Sequence, residues 1–309
     1  MNNGSNIWCT LVMLGDSYAR GAAVAAQSLK DVGSVYPSWC MVTNDVSKDC
    51  VKMLNDIFDN VIEVPFIKHE VAPMKSQKQN QIYGNWIHAS FTKWNIYNPK
   101  LFPGVDKLCF IDADMIFTKN CDDLFELEPP AMTFSSPWMR PYAANGYYNP
   151  YGELQHGACV SKIAIRRGLE CSSVGIANMV LVRPIDRHYN VMMDILSAKK
   201  IYGCSKCISG FDEQLLAEII LACDNKITHI HQSYNWYTGK TNWLLHNEEP
   251  KTLQYYGGKP WDGISTEADR ANIENAPYED LKIWWRIADR IITKYPSARK
   301  IYYPGNTTV

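Results

Sequence analysis

The chain has no long apolar run. Nothing in its 309 residues approaches the roughly 18 consecutive apolar residues that a membrane-spanning helix needs. It also lacks an excess of either charge, since 31 Lys and Arg stand against 32 Asp and Glu, leaving −1. General nucleic-acid binding and adhesion to an anionic membrane are therefore not expected. The first residues, Met1-Asn2-Asn3-Gly4-Ser5-Asn6, are polar and carry no signal-peptide pattern, so a cytoplasmic location is the expectation. In that setting the acceptor strings Asn3-Gly4-Ser5 and Asn306-Thr307-Thr308 would stay unmodified. No second Cys-x-x-Cys accompanies Cys204-Ser205-Lys206-Cys207, and no His lies at a matching short spacing, which argues against zinc. Most of the ten cysteines, among them Cys9, Cys40, Cys109 and Cys223, sit in apolar strings and read as buried reduced thiols. There is no evident internal repeat. A Gly-x-Gly-x-x-Gly turn is also missing after the first apolar run, where Gly15-Asp16-Ser17-Tyr18 stands. That counts against a NAD-dependent oxidoreductase.

What is present is the balance of a soluble globular chain, 46% hydrophobic and 20% charged. The length suits one large α/β domain or two small ones. Trp8 to Leu14 reads as a strand and Ser17 to Leu29 as an Ala-rich helix. Trp39 to Thr43 is a second strand, Ser47 to Phe58 a helix with Val51, Leu54 and Phe58 on one face, and Val61 to Val64 a third strand. Such an alternation argues for a parallel sheet with crossover helices. Trp86 to Tyr97 reads as a helix feeding a strand at 107–111, and Asn120 to Phe125 as a helix start. The Pro-, Gly-, Tyr- and Asn-rich stretch from about 133 to 172 reads either as an ordered loop over a site or as a packed insertion. A strand at Met179 to Val182, helices at 187–198 and 211–223, and a strand-like run at Thr252 to Tyr256 follow. Tyr278 to Tyr295 is an amphipathic helix whose Trp284 and Trp285 read as core.

Chemistry collects at a few places. The apolar run Leu108-Cys109-Phe110-Ile111 ends in Asp112-Ala113-Asp114. A buried strand that stops there delivers two hard oxygen ligands to a sheet edge, which suits a divalent cation holding phosphates. Gly257-Gly258-Lys259-Pro260-Trp261 sets two flexible residues before an ammonium suited to a diphosphate, or is only a turn. Ser209-Gly210-Phe211-Asp212-Glu213-Gln214 opens a helix with two acids that serve either chemistry or the helix dipole. His229 and His231 alternate as on a strand, where they would be structural or complete a metal site. Lys93 stands alone on an apolar helix, where snorkelling is its default role.

In this order the strings resemble glycosyltransferase family 8, the glycogenin and galactinol-synthase-like enzymes. The matching strings are Thr10 to Tyr18, the Gly21 to Leu29 helix, Met41-Val42-Thr43, Ser90-Phe91-Thr92-Lys93-Trp94, Asp112-Ala113-Asp114, Gly210 to Gln214, Tyr234-Asn235 and Gly257 to Trp261. The Trp-rich end, Tyr278 to Trp285, also looks like the galactinol-synthase-like and viral branches. The resemblance implies an α/β, Rossmann-like nucleotide-sugar-binding fold of GT-A type, with a mixed, mostly parallel central sheet and flanking helices. It implies a single domain over 1–309, its catalytic core at about 7–262 and a helical extension at 263–309. It further implies a UDP-sugar donor, Mn²⁺ (with Mg²⁺ as a substitute), transfer of a hexose to an acceptor hydroxyl of unread identity, and retention of anomeric configuration. A homodimer is compatible with it.

By position, Leu11, Val12 and Tyr18 would hold the uracil. Asp112 and Asp114 would carry the metal, with Asp112 and Ala113 also at the donor. Lys93 would orient the acidic motif or the donor, and Asn235, Gly257 and Lys259 would complete the donor site. Asp212, Glu213 and Gln214 would be the catalytic group. Two departures stand out. The family's metal-binding His, five or six residues before the Lys-Pro-Trp string, is replaced here by Gln254. An Asn-x-Gly-like step at the sugar pocket is altered to Gly175-Ile176-Ala177-Asn178-Met179. They keep open an alternative, a catalytically impaired UDP-sugar-binding protein of the same fold.

Overall fold

The first strand, β1 (Ser5–Val12), is apolar and buried from Ile7 onward. This computed structural model describes residues 5–71, 77, 80–81, 84–134, 154–171, 174–198, 211–238 and 249–306. Cys204, Cys207, Ser209, Gly210 and residues 135–153 of the aromatic stretch lie outside the described residues. After β1 come α1 (Ala19–Asp31), β2 (Ser38–Val42), α2 (Lys48–Ile57) and β3 (Asn60–Glu63). A 3-10 helix (Ile87–Tyr97) then leads to β4 (Val105–Ile111), β5 (Met115–Phe117) and β6 (Ala131–Thr133). Next are β7 (Cys159–Ser161), α3 (Lys162–Cys171), β8 (Ile176–Val182), α4 (Asp186–Ser197), α5 (Phe211–Cys223) and β9 (Lys226–His229). The chain closes with β10 (Trp236–Tyr237), β11 (Thr252–Gln254), α6 (Glu267–Asn272), α7 (Glu279–Lys294) and α8 (Pro296–Tyr302). The fold class is α/β. Among the described residues no helix is long and apolar enough to cross a membrane.

These elements form two compact units. One comprises Ile7–Val64, Ile111–Asp123 and Ser233–Val309. Its strands β1, β2 and β3 pair in parallel, Trp8 opposite Ser38 and Cys40 opposite Val61. The crossover helix α1 is almost wholly buried, because Ala19, Ala22, Ala23, Ala25 and Ala26 let it approach its neighbours closely. It packs on β5 and α7. Ser47 caps α2 by accepting the Cys50 N–H, and Thr266 with Asp269 forms a capping box on α6. A second small sheet runs β10-β11-β5, parallel in its first pair and antiparallel in its second.

The other unit comprises Met1–Asn6, Pro65–Phe110 and Leu124–Gln232. Its strands run β4-β8-β6-β9-β7, with β6 antiparallel to β8, parallel to β9, and β7 antiparallel to β9. Helices α3 and α4 both pack on α5, as does the 3-10 helix.

Two expectations from the sequence changed. The stretch 133–172 is not loop throughout: Cys159–Ser161 pairs with β9, and Lys162–Cys171 is helical. The Ser161 hydroxyl accepts the Ala164 N–H at that helix start, a local cap hidden behind the turn-rich residues before it. The helix at 87–97 winds as a 3-10 helix. Nearly all of its residues are buried, so no one-sided apolar stripe selects the 3.6-residue period.

Gly21 of α1 marks a close packing. A Cβ there would lie 2.3 Å from the Ala113 carbonyl oxygen and 2.5 Å from the Trp261 ring. The Gly21→Ala variant is expected to lose about 1–3 kcal/mol, the cost of overpacking against backbone that cannot yield. Urea unfolding checks this, and an unchanged midpoint would show that α1 can move away from Ala113.

Candidate functional site

Strand β4 is buried through Leu108, Cys109, Phe110 and Ile111, and then meets two acids. The chain turns there, with the Met115 N–H donating to the Asp112 carbonyl at 3.2 Å, and leaves as β5. Because β5 pairs antiparallel with β11, Gln254 falls opposite Met115, one residue from Asp114. The Tyr255 N–H continues the ladder to the Asp114 carbonyl at 3.0 Å. Gln254 Nε2 comes to 3.5 Å from Asp112 Oδ2. Past Gly257, whose φ of 92° suits glycine, Lys259 reaches back to place Nζ 2.5 Å from Asp114 Oδ2. Burial lowers the pKa of the ammonium, but the charge and hydrogen bond of Asp114, with Tyr18 and Asp112, together hold it above its ordinary value.

The surroundings fix this corner. The Tyr18 ring packs edge-on to Trp261 at 5.6 Å and lies 5.8 Å from Lys259 Nζ. Burial pushes its hydroxyl up, so Tyr18 remains neutral. Trp261 packs on Trp284, and the Trp285 indole N–H donates to the Pro260 carbonyl at 2.9 Å. The core reading of the two tryptophans holds, and they also anchor the Lys-Pro-Trp turn. Leu11 and Val12 end β1 and are buried, as is Asn235 beside β10.

Two acceptor oxygens here, Asp114 Oδ1 and Gln254 Oε1, are buried without a hydrogen-bond partner. Such atoms are costly unless a donor or cation meets them. Two carboxylates and an amide oxygen are hard donors of the kind Mn²⁺ or Mg²⁺ takes, although Mn²⁺ would bind imidazole better than an amide. Among the described residues no three His, Cys, Asp or Glu side chains converge. The residues fit a weakly held divalent ion completed by Gln254 and by a ligand's own oxygens.

The other unit carries a second constellation. Lys93 is 9% exposed and forms an ion pair with Asp212 Oδ2 on the first turn of α5. Its ammonium also approaches the Ala177 carbonyl of β8 at 3.4 Å and the rings of Trp94 and Phe110. This buried pairing replaces the snorkelling reading. Removing either partner would strand a buried charge. The neighbouring Glu213 carboxyl is raised to about 8, first by burial and then by the charge of Asp212, with Lys93 opposing. Its Oε2 and the Gln214 Nε2 are buried without hydrogen-bond partners. Burial also pulls His229 down to about 3, and its Nδ1 accepts the Phe134 N–H at 3.1 Å. His229 is thus a neutral residue bonded to backbone, and the His231 N–H donates to His156 Nδ1 at 3.2 Å.

Residues 9–136 match the family model for glycosyl transferase family 8. The chain is 24% identical over 238 residues to uncharacterized protein R707 of Acanthamoeba polyphaga mimivirus, covering 77% of this chain and 74% of the other. It is 30% identical over 128 residues to a Neurospora crassa glycogenin, covering 41% of this chain but only 18% of the other. These matches relate residues 9–136 to glycosyl transferase family 8. In structure it resembles the galactosyltransferase LgtC solved with donor and acceptor sugar analogs, with a TM-score of 0.55 and 12% identity, covering 92% and 95% of the two chains. That likeness is one of fold, the GT-A type.

The strings that resemble family 8 sort into two groups: Leu11, Val12, Tyr18, Asp112, Ala113, Asp114, Asn235, Gln254, Gly257 and Lys259 in one unit, and Lys93, Asp212, Glu213 and Gln214 in the other. Sequence reasoning missed the Lys93–Asp212 pair. The signal was a lysine in an otherwise apolar string, which needs a buried anion somewhere.

The raised Glu213 carboxyl has a consequence for stability. The folded protein keeps a proton there that the unfolded chain releases above about 4.3, the ordinary glutamate value. This contribution is complete below that pH and fades as pH rises toward about 8. In urea unfolding, wild type is expected to lose stability between pH 5 and pH 8 relative to Glu213→Gln. Parallel pH profiles would show that Glu213 is ionised in the fold.

Proposed function

We propose that this chain moves a hexose from a UDP-sugar to an acceptor hydroxyl with retention of configuration, in a Mn²⁺-dependent reaction. The observation that carries the reading is the pair of buried, unpartnered oxygens on Asp114 and Gln254 beside Asp112 and Lys259. A nucleotide diphosphate with its cation meets each of these needs. Leu11, Val12 and Tyr18 hold the uracil, Asp112 and Ala113 the ribose side, and Asn235, Gly257 and Lys259 the phosphates. A bound Mn²⁺ neutralises charge on the leaving diphosphate. Lys259 adds a fixed positive charge for the departing UDP.

Asp212, Glu213 and Gln214 act on the sugar in this reading. Their charge states divide the work. Asp212 is ion-paired with Lys93, whereas burial and then the charge of Asp212 raise the Glu213 carboxyl to about 8, which favours a form able to donate a hydrogen bond to the sugar. Two routes retain configuration. In one, a leaving phosphate oxygen takes the proton of the acceptor hydroxyl as its oxygen bonds the anomeric carbon on the same face. In the other, an Asp212 oxygen bonds that carbon as its bond to UDP breaks, and the acceptor oxygen then displaces Asp212 while its proton passes to a phosphate oxygen of the departed UDP.

A second reading is a donor-binding protein with impaired turnover. Gln254, standing where the family has a metal-binding His, favours it, since an amide holds Mn²⁺ less well than imidazole. A panel of UDP-sugars assayed for UDP release with and without Mn²⁺ tests the main reading. Release is expected in wild type with Mn²⁺, and Asp114→Asn is expected to abolish it. No release from any donor, together with Mn²⁺-dependent UDP binding, would establish the impaired form. Gln254→His restoring release would then identify its cause. Equal UDP affinity with and without Mn²⁺ would contradict both readings.

A further inference from the structure

The two oxygens of Asp114 have different partners. Oδ2 lies against the Lys259 ammonium, and Oδ1 is buried without a hydrogen bond. The lysine is held in place from a second side, because Nζ also donates to the Tyr255 carbonyl at 2.8 Å. Tyr255 in turn donates its N–H to the Asp114 carbonyl at 3.0 Å. The strand edge that presents Gln254 therefore also ties Lys259 to the acidic motif.

The ionisable groups acting on this ammonium are Asp114, Tyr18 and Asp112. With Tyr18 neutral, two carboxylates and one ammonium share the corner. A free divalent cation meets one net negative charge instead of two, and an Asp114 carboxylate already half engaged. Two of the three ammonium donors are already committed, to Asp114 and to the Tyr255 carbonyl, so a diphosphate that takes more than the third must draw Lys259 from one of them.

We propose that Lys259 is a built-in counter-ion that gates cation binding. The diphosphate of an incoming nucleotide draws the ammonium away from Asp114, and the freed carboxylate then binds the divalent cation tightly. This deepens the proposed function and rests on it. Nucleotide and cation are coupled through the lysine, in addition to any contact between phosphate and cation. The device keeps the corner from holding stray cations when no donor is present.

The test measures Mn²⁺ affinity by calorimetry on the full chain, with Mn²⁺ alone and with saturating UDP. Variants Lys259→Met and Lys259→Arg are compared with wild type. Lys259→Met is expected to bind Mn²⁺ alone about tenfold more tightly than wild type, as a neighbouring positive charge is removed. Lys259→Arg keeps the charge and is expected to stay weak. The gain in Mn²⁺ affinity on adding UDP is expected to shrink in Lys259→Met. If Lys259→Met does not fold, Lys259→Gln is read in its place with the same expectation. Neutral variants no tighter than wild type for Mn²⁺ alone, with UDP still strengthening Mn²⁺ binding in wild type, would overturn the gate and leave the nucleotide reading standing. Wild type that binds no Mn²⁺ even with UDP would overturn both.

Discussion

The antiparallel pairing of β5 with β11 is the constraint on which the acidic corner depends. Asp112 and Asp114 are separated only by Ala113 and carry charge of the same sign. They need a positive or donating partner that their own strand cannot supply. The register that sets Gln254 against Met115 brings Gln254 to Asp112 and, five residues later, Lys259 to Asp114. A slip of one residue in that ladder would send Gln254 to the opposite face. The register is supported from behind by the tryptophans of α7 and by Gly21 of α1, which leaves no gap against Ala113.

The second constellation follows the same logic with a different ion. Lys93 lies among Trp94 and Phe110, where an uncompensated ammonium would be costly. Asp212 compensates it, while burial first and the charge of Asp212 second raise the Glu213 carboxyl. Burial penalises the charged form of Glu213, and the neighbouring Asp212 carboxylate adds to that penalty. A helix start that reads in sequence as serving either chemistry or the helix dipole carries two acids in different surroundings.

Much of this was legible in the residues. Strong local periodicity and clear boundaries fixed the first three strands, α2, α5 and the Trp-rich helix α7 to within two or three residues. The Asp-Ala-Asp turn was legible because an apolar strand ends abruptly in charge. Short strands were not. β6, β7 and β10 have two or three residues each, too few for an alternation to show, and they exist because neighbours hydrogen-bond them. Gln254 could be aligned to the family's His position, but its approach to Asp112 required the β5–β11 register. The partner of Lys93 lies more than a hundred residues away in sequence, and no local pattern points to it. Local signals specify elements; the charges find one another only through the tertiary fold.

The central claim is that Asp112, Asp114 and Gln254 together hold a divalent cation when a nucleotide diphosphate is bound. The most direct measurement is a crystal structure of the protein grown with UDP and Mn²⁺, with anomalous data collected at the manganese edge. The account requires an anomalous peak within coordination distance of Asp112, Asp114 and the Gln254 amide oxygen, with Lys259 moved from Asp114 to a phosphate. A UDP-bound crystal with no anomalous peak at those residues, and Lys259 still paired with Asp114, would contradict it.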